Sequence, residues 1–205
     1  TLISVVDNVV PDVNTTVNIT NPVIDDIINF TGNMSDNVAL KTANITYNMS
    51  GILTKANYTV SGTSAEISNV TKLTSGGVIN FTVYVTDTSD NVAQNSTLVT
   101  VTDNRAPVVN TTFNTTSPLI NDIINFTGNI TDETALKTAN ITYNISGIIT
   151  YVNFTISGTS AQVSNATKVC SAPCVINFTM YATDTSNNVK QNSTLITVTE
   201  TTLPD

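Results

Sequence analysis

The 205-residue chain has no histidine, no tryptophan and only two cysteines, and 11% of its residues are charged. Lys and Arg together number seven, with Arg105 the single arginine. Each shortage removes a class of function. Without histidine the usual general base is missing, and two cysteines fall short of the four ligands zinc takes in a structural site. No nucleophile stands beside a plausible base, so acid–base work would fall to carboxylates. The adjacent Asp25 and Asp26 are one such pair, but neighbours on a strand face opposite ways, and their counterparts are Asn121 and Asp122. A solvated strand edge is the better reading there, and an enzyme is not expected. Net charge is −8 with a pI near 4.2, and the few cations are scattered, which argues against binding nucleic acid. There is no run of about twenty apolar residues to span a bilayer, and no signal-peptide pattern. If the protein is exported, signal and anchor are expected outside this segment.

What the chain has in excess is asparagine in Asn-x-Ser/Thr sequons. Twenty of its 28 asparagines lie in them, as two matching sets of ten. Asn14, Asn18, Asn29, Asn33, Asn44, Asn48, Asn57, Asn69, Asn80 and Asn95 recur as Asn110, Asn114, Asn125, Asn129, Asn140, Asn144, Asn153, Asn165, Asn177 and Asn192. Random placement of the Ser and Thr would yield only about eight. A Thr- and Asn-rich composition makes some sequons cheaply, but all ten are kept in both copies. The density implies passage past an oligosaccharyltransferase and N-linked glycans on an extracellular or cell-surface protein. With so few ionised side chains, sugar would supply the solubility.

The duplication runs through the whole chain. Ala39 to Asn48 returns letter for letter as Ala135 to Asn144. The offset is 96 residues up to Lys72 and 97 beyond it. Thr1-Leu2-Ile3-Ser4-Val5 matches Thr97 to Val101 and Thr194 to Val198, the closing strand that each repeat already owns. The expected organisation is therefore residues 1–8 as last strand and linker of a preceding repeat. Residues 9–103 are then repeat 1, 104–199 repeat 2, and 200–205 the start of a further linker. A window on a longer array fits this pattern. The alternative is a chain whose first strand is donated to the sheet edge of a neighbouring subunit.

Cys170 and Cys174 occur only in the second copy, where the first has Thr74-Ser75-Gly76-Gly77. A disulfide suits an oxidising compartment, with two free thiols as the alternative.

Apolar and polar residues alternate with period two, as in Ile79-Asn80-Phe81-Thr82-Val83, and no helical stripe competes. Each repeat reads as about seven strands, near 13–19, 27–32, 40–50, 56–61, 65–70, 78–86 and 95–101. The fold class is all-β: two tandem immunoglobulin-like antiparallel β-sandwiches. Within a strand, Asn and Thr at i and i+2 share one face and the middle residue takes the other. Phe30, Ile45 and Phe81 should then point inward, while Asn29, Asn44 and Asn80 face solvent.

Tyr84-Val85-Thr86-Asp87-Thr88-Ser89-Asp90-Asn91, followed by Val101-Thr102-Asp103-Asn104-Arg105-Ala106-Pro107, resembles the end-of-module signature of prokaryotic immunoglobulin-like and hyalin-type (cadherin-like) repeats. Tyr181 to Asn188 matches it again. The resemblance covers nearly the whole chain through loose motifs. It implies extracellular arrays such as adhesins, surface layers and filaments, and the sequon density suggests an archaeal setting. The chain departs from antibody domains in lacking the central Trp and the inter-sheet disulfide. Tyr47 and Tyr143 are expected to fill the central position.

The resemblance also allows calcium at inter-domain joints. Asp7, Asp36, Asp87 and Asp90 would form one oxygen-rich site, and Asp103, Asp132, Glu133 and Asp184 a second. Otherwise the protein needs no cofactor, and these residues simply build turns. The leading expectation is a structural subunit of a heavily N-glycosylated filament, stalk or surface array, acting as a mechanical spacer. Its partners would be further copies of the repeat, in tandem or by donated strand, with no membrane contact in this segment. An adhesin or carbohydrate-binding module is the alternative, with Tyr84, Tyr151 and Tyr181 as the exposed aromatics it would use.

Overall fold

The computed structural model describes residues 6–200. The surplus strand expected at residues 1–5, and residues 201–205 of the expected linker, lie outside them. The chain divides into two compact units, with the boundary between Asp103 and Asn104.

The first unit holds β1 (Asp12–Val17), β2 (Ile27–Ser35), β3 (Leu40–Met49), β4 (Ile52–Thr59), β5 (Ser64–Lys72), β6 (Gly77–Asp87) and β7 (Val92–Val101). The second repeats the series as β8 (Val108–Phe113), β9 (Ile123–Thr131), β10 (Leu136–Ile145), β11 (Ile148–Thr155), β12 (Ser160–Lys168), β13 (Cys174–Asp184) and β14 (Val189–Val198). A three-stranded sheet, β1-β2-β5, packs on a four-stranded one, β4-β3-β6-β7, and the second unit has β8-β9-β12 on β11-β10-β13-β14. Every strand pair is antiparallel. Each unit is thus an immunoglobulin-like sandwich of seven strands.

Alternation decides which face is buried. Along β6, Ile79, Phe81, Val83 and Val85 are buried while Val78, Asn80 and Tyr84 are exposed. Phe81 stacks on Phe30 of the opposite sheet at 4.8 Å between ring centroids, and Tyr47 also lies 4.8 Å from Phe30. Tyr47 therefore sits at the centre of the core. In the second unit Phe126 and Phe178 stack at 4.9 Å and Tyr143 lies 5.2 Å from Phe178. Burying each such ring contributes about 1.5–3 kcal/mol.

Two details differ from the sequence reading. β4 begins at Ile52, earlier than the expected residue 56, because Ser50 and Gly51 both take positive φ (53° and 81°) and close a two-residue hairpin pairing Met49 with Ile52. Asp25 and Asp26 lie in a turn, not on a strand edge. Asp25 takes φ 77° and pairs with Lys72 at 2.7 Å, while Asp26 Oδ2 accepts from Val23 N at 2.9 Å. The connection joins β1 to β2 of the same sheet and touches the facing sheet on the way: Val23 forms a parallel bridge with Thr102, just past β7, and Ile24 N donates to Thr102 O at 3.1 Å.

Candidate functional site

None of the twenty sequon asparagines is buried. In the first repeat Asn29, Asn44, Asn69 and Asn95 are half-buried and the other six are exposed; the second repeat has the same division at Asn125, Asn140, Asn165 and Asn192. Strand register gathers them on the outer faces. Asn44 stands opposite Asn57 on β4 and Tyr84 on β6, Asn80 opposite Leu98 on β7, and Asn14 opposite Asn33. Asn18 lies just past the end of β1, where its Oδ1 accepts from Asn29 N at 2.7 Å and its Nδ2 donates to Ile27 O at 3.3 Å. Large apolar side chains share these faces: Leu53 and Leu98 are each 70% exposed and Val70 61%.

Two positions per repeat break the outward rule. Asn69 lies on the side of β5 that carries buried Ile67, and its neighbour Val70 faces solvent. Tyr47 Oη donates to Asn69 Oδ1 at 3.2 Å; in the second repeat Asn165 Nδ2 donates to Tyr143 Oη at 3.1 Å. Asn95 shares the face of β7 that ends in buried Val99 and Val101, and its Nδ2 donates to Val13 O on β1 at 3.0 Å. Asn192 does the same to Val109 O at 3.0 Å. The spacing of Asn69 from Ile67, and of Asn95 from Val99, is the sequence signal for this inward facing.

Three acidic residues of the first unit come together. Carboxylate oxygens of Asp7, Asp36 and Asp87 lie within 4.8 Å of one another. Asp87 closes the inward-facing series of β6, two residues after Val85, and is fully buried. Its Oδ1 accepts from Ser89 N at 2.9 Å and Asn91 N at 2.8 Å, and its Oδ2 from Asn91 Nδ2 at 2.7 Å. Burial pushes its carboxyl up, but the Asn91 side-chain and backbone bonds, the Ser89 bond and the Lys41 charge outweigh that and hold it below the usual carboxylate value. Asn91 Nδ2 also lies 3.2 Å from both Asp7 O and Val9 O, fastening the incoming segment to the β6–β7 turn. This is the structural work of the Asp-Thr-Ser-x-Asn signature.

Asp36 Oδ2 accepts from Val38 N and Ala39 N at 2.8 and 2.9 Å. Asp7 Oδ2 and Asp36 Oδ1 are buried without a hydrogen-bond partner. Three carboxylates at this spacing, two with orphaned oxygens, fit a hard divalent cation with oxygen ligands. Asp90 stays outside the cluster and pairs with Lys41 at 2.5 Å. In the second unit, oxygens of the buried Asp132 and Asp184 lie within 4.8 Å of each other, while Glu133 lies 3.6 Å from Arg105 Nε. Asp103, which corresponds in sequence to Asp7, belongs to the first unit and is buried. Cys170 and Cys174 are disulfide-bonded. No helix among the described residues is long and apolar enough to cross a membrane.

No protein-family model matches the chain, and no curated protein does. Solved structures do resemble it. A tetra-tandem repeat from the extending region of a large adhesion protein aligns with TM-score 0.61 and 19% identity, over 92% of this chain and 49% of that one. The chain thus spans about half the length of that structure. Fibronectin(III)-like modules of Clostridium thermocellum CbhA align at TM-score 0.35 and 15% identity, over 92% of this chain and 95% of theirs. The first of these likenesses supports a fold of tandem immunoglobulin-like sandwiches.

Proposed function

We propose that the chain is a structural spacer of an extracellular or cell-surface array: tandem sandwiches that separate other elements mechanically under a coat of N-linked glycans. The observation that carries this reading is the duplication itself. Two modules alike at most positions keep the same ten sequons, none buried, most of them on outer sheet faces. Sugars there would cover exposed apolar side chains such as Leu53 and Leu98 and blunt the open sheet edges against lateral pairing. The likeness to an adhesion protein's extending region supports the same role at the level of fold. Archaeal surface arrays are the setting we favour, with further copies of the repeat as partners, joined in tandem or by a donated strand.

Calcium belongs to this proposal. Asp7, Asp36 and Asp87 would hold the ion, which supplies the positive charge that their buried oxygens lack and pins the incoming segment to the end of the sandwich. Electron microscopy of material purified from its native source tests the spacer role. Rods or filaments are the expected result; isolated globular particles would contradict it.

A carbohydrate-binding role rests on one feature. The outer face of the second unit's four-stranded sheet exposes Tyr151 (65%) and Tyr181 (37%), whereas the first has only Tyr84 (36%). Specific binding on a glycan array, lost in Tyr151→Lys, would favour that reading.

A further inference from the structure

The inward turn of Asn69 and Asn95, and of their counterparts, marks them as different from the other sequon asparagines. The sandwich has an open seam on either side, where edge strands of the two sheets approach without backbone pairing. At one seam, β1 presents carbonyls that its partner β2 does not use, and such groups need a donor once covered. Asn95 Nδ2 meets Val13 O at 3.0 Å, and Asn192 Nδ2 meets Val109 O at the same distance. The hydroxyl of the same sequon is also engaged: Thr97 Oγ1 bonds Thr15 Oγ1 at 2.7 Å, and Thr194 Oγ1 bonds Thr111 Oγ1 at 3.3 Å. At the other seam, Asn69 and Asn165 bond the hydroxyl of a buried core tyrosine.

We infer that the sequons divide by function: Asn69, Asn95, Asn165 and Asn192 clasp the two sheets together and stay unmodified, and the outward asparagines take the sugar. This rests on the glycoprotein reading above and goes beyond it by naming which sites remain bare. Both groups a transferase must reach, the Asn amide and the hydroxyl two residues on, are held in the seam at Asn95 and Asn192. A glycan leaves one hydrogen on Nδ2, but its first ring would have to occupy the gap that the two threonines close. Sugar added before folding would hold the seam open for the same reason. At outward sequons such as those of Asn33 and Asn57, both the asparagine and the hydroxyl residue two on, Ser35 and Thr59, are exposed.

Two measurements test the inference. The first is intact-glycopeptide mass spectrometry on native material. Sugar on peptides carrying Asn14, Asn33, Asn48 and Asn57, with Asn69, Asn95, Asn165 and Asn192 bare, is the expected result. Sugar at any of those four sites would overturn the division, whereas sugar nowhere would overturn the underlying glycoprotein reading and the division with it. The second uses the full chain produced in a bacterium without a transferase. Asn95→Asp and Asn192→Asp replace the donor by an oxygen facing a carbonyl, and each should lower the folding equilibrium constant of its repeat at least about fivefold. Asn80→Asp should leave it unchanged. Equal effects at Asn80 and Asn95 would overturn the clasp whatever the glycan map shows.

Discussion

Where the first repeat has Val17, Tyr58 and the Gly76-Gly77 loop, the second has Phe113, Phe154 and the Cys170–Cys174 disulfide. The first copy closes its weak points with polar contacts. Tyr58 Oη donates to Ser68 O on the free edge of β5 at 2.6 Å, Lys41 pairs with Asp90 at 2.5 Å, and the Ser50 and Ser75 hydroxyls meet across two turns. The second copy gives up the tyrosine hydroxyl and gains packing: Phe113 lies 4.9 Å from Phe126 and 5.5 Å from Phe178. Its loop is closed covalently, and Lys137 donates to the neutral Asn187 at 2.8 Å. What does not drift is backbone chemistry. The left-handed positions Asp25/Asn121, Ser50/Ser146 and Asp90/Asn187 keep φ between 51° and 77° and keep small polar side chains that tolerate it. The Tyr58 edge contact and the loops accept several chemical solutions; these turns accept few.

That contrast can be broken at several places, and urea unfolding of the full chain, followed in each repeat by hydrogen exchange, reads all of them. The largest effect is expected in the aromatic core. Phe178→Ala should cost its repeat about 3–5 kcal/mol, and Phe81→Ala less within that range, because Phe178 contacts three rings while Phe81 stacks on Phe30. Equal losses would mean that Phe113 adds nothing to the second core.

Glycine gives a sharper comparison. A Cβ on Gly32 would stand 2.9 Å from both γ-methyls of Val83, a buried β-branched side chain that cannot move aside. On Gly128 it would meet the terminal methyl of the flexible Met180 instead. Gly32→Ala should therefore destabilise the first repeat by up to about 3 kcal/mol, and Gly128→Ala the second by less than about 1 kcal/mol. Reversed magnitudes would mean that the facing sheets are not so closely set in the first unit.

Reducing the disulfide should lower the stability of the second repeat alone by about 2 kcal/mol, the entropic value of so short a loop. The smallest effect is Tyr58→Phe, which makes the first repeat resemble the second and should cost about 0.5–1.5 kcal/mol. A neutral result there would show water replacing the hydroxyl at the β5 edge.

Much of this was legible in the residues. Period-two alternation placed Phe30, Ile45, Tyr47 and Phe81 inside, and the seven short strands per copy followed from the turn residues between them. The Ser50-Gly51 hairpin was written in a familiar turn pair, yet β4 was read short because its first residues, Ile52 and Leu53, are both exposed on an edge and show no alternation. Asp87 looked like a loop residue by chemistry although its spacing from Val83 and Val85 puts it inside. Asn95 was similar: Ser96 between Asn and Thr says nothing about facing, while Val99 and Val101 do. Convergence of Asp7, Asp36 and Asp87, and the separation of Asp90 toward Lys41, depend on distances between loops that no local pattern encodes.

The central claim is that this is a sugar-coated repeat module, and the denatured mass of the native polypeptide before and after chemical deglycosylation tests it most directly. A large fall in mass on deglycosylation is the predicted result, with a bare polypeptide well above the 21.7 kDa of these residues if the modules run on in a covalent array. An unchanged mass would leave the sequons idle and contradict the account.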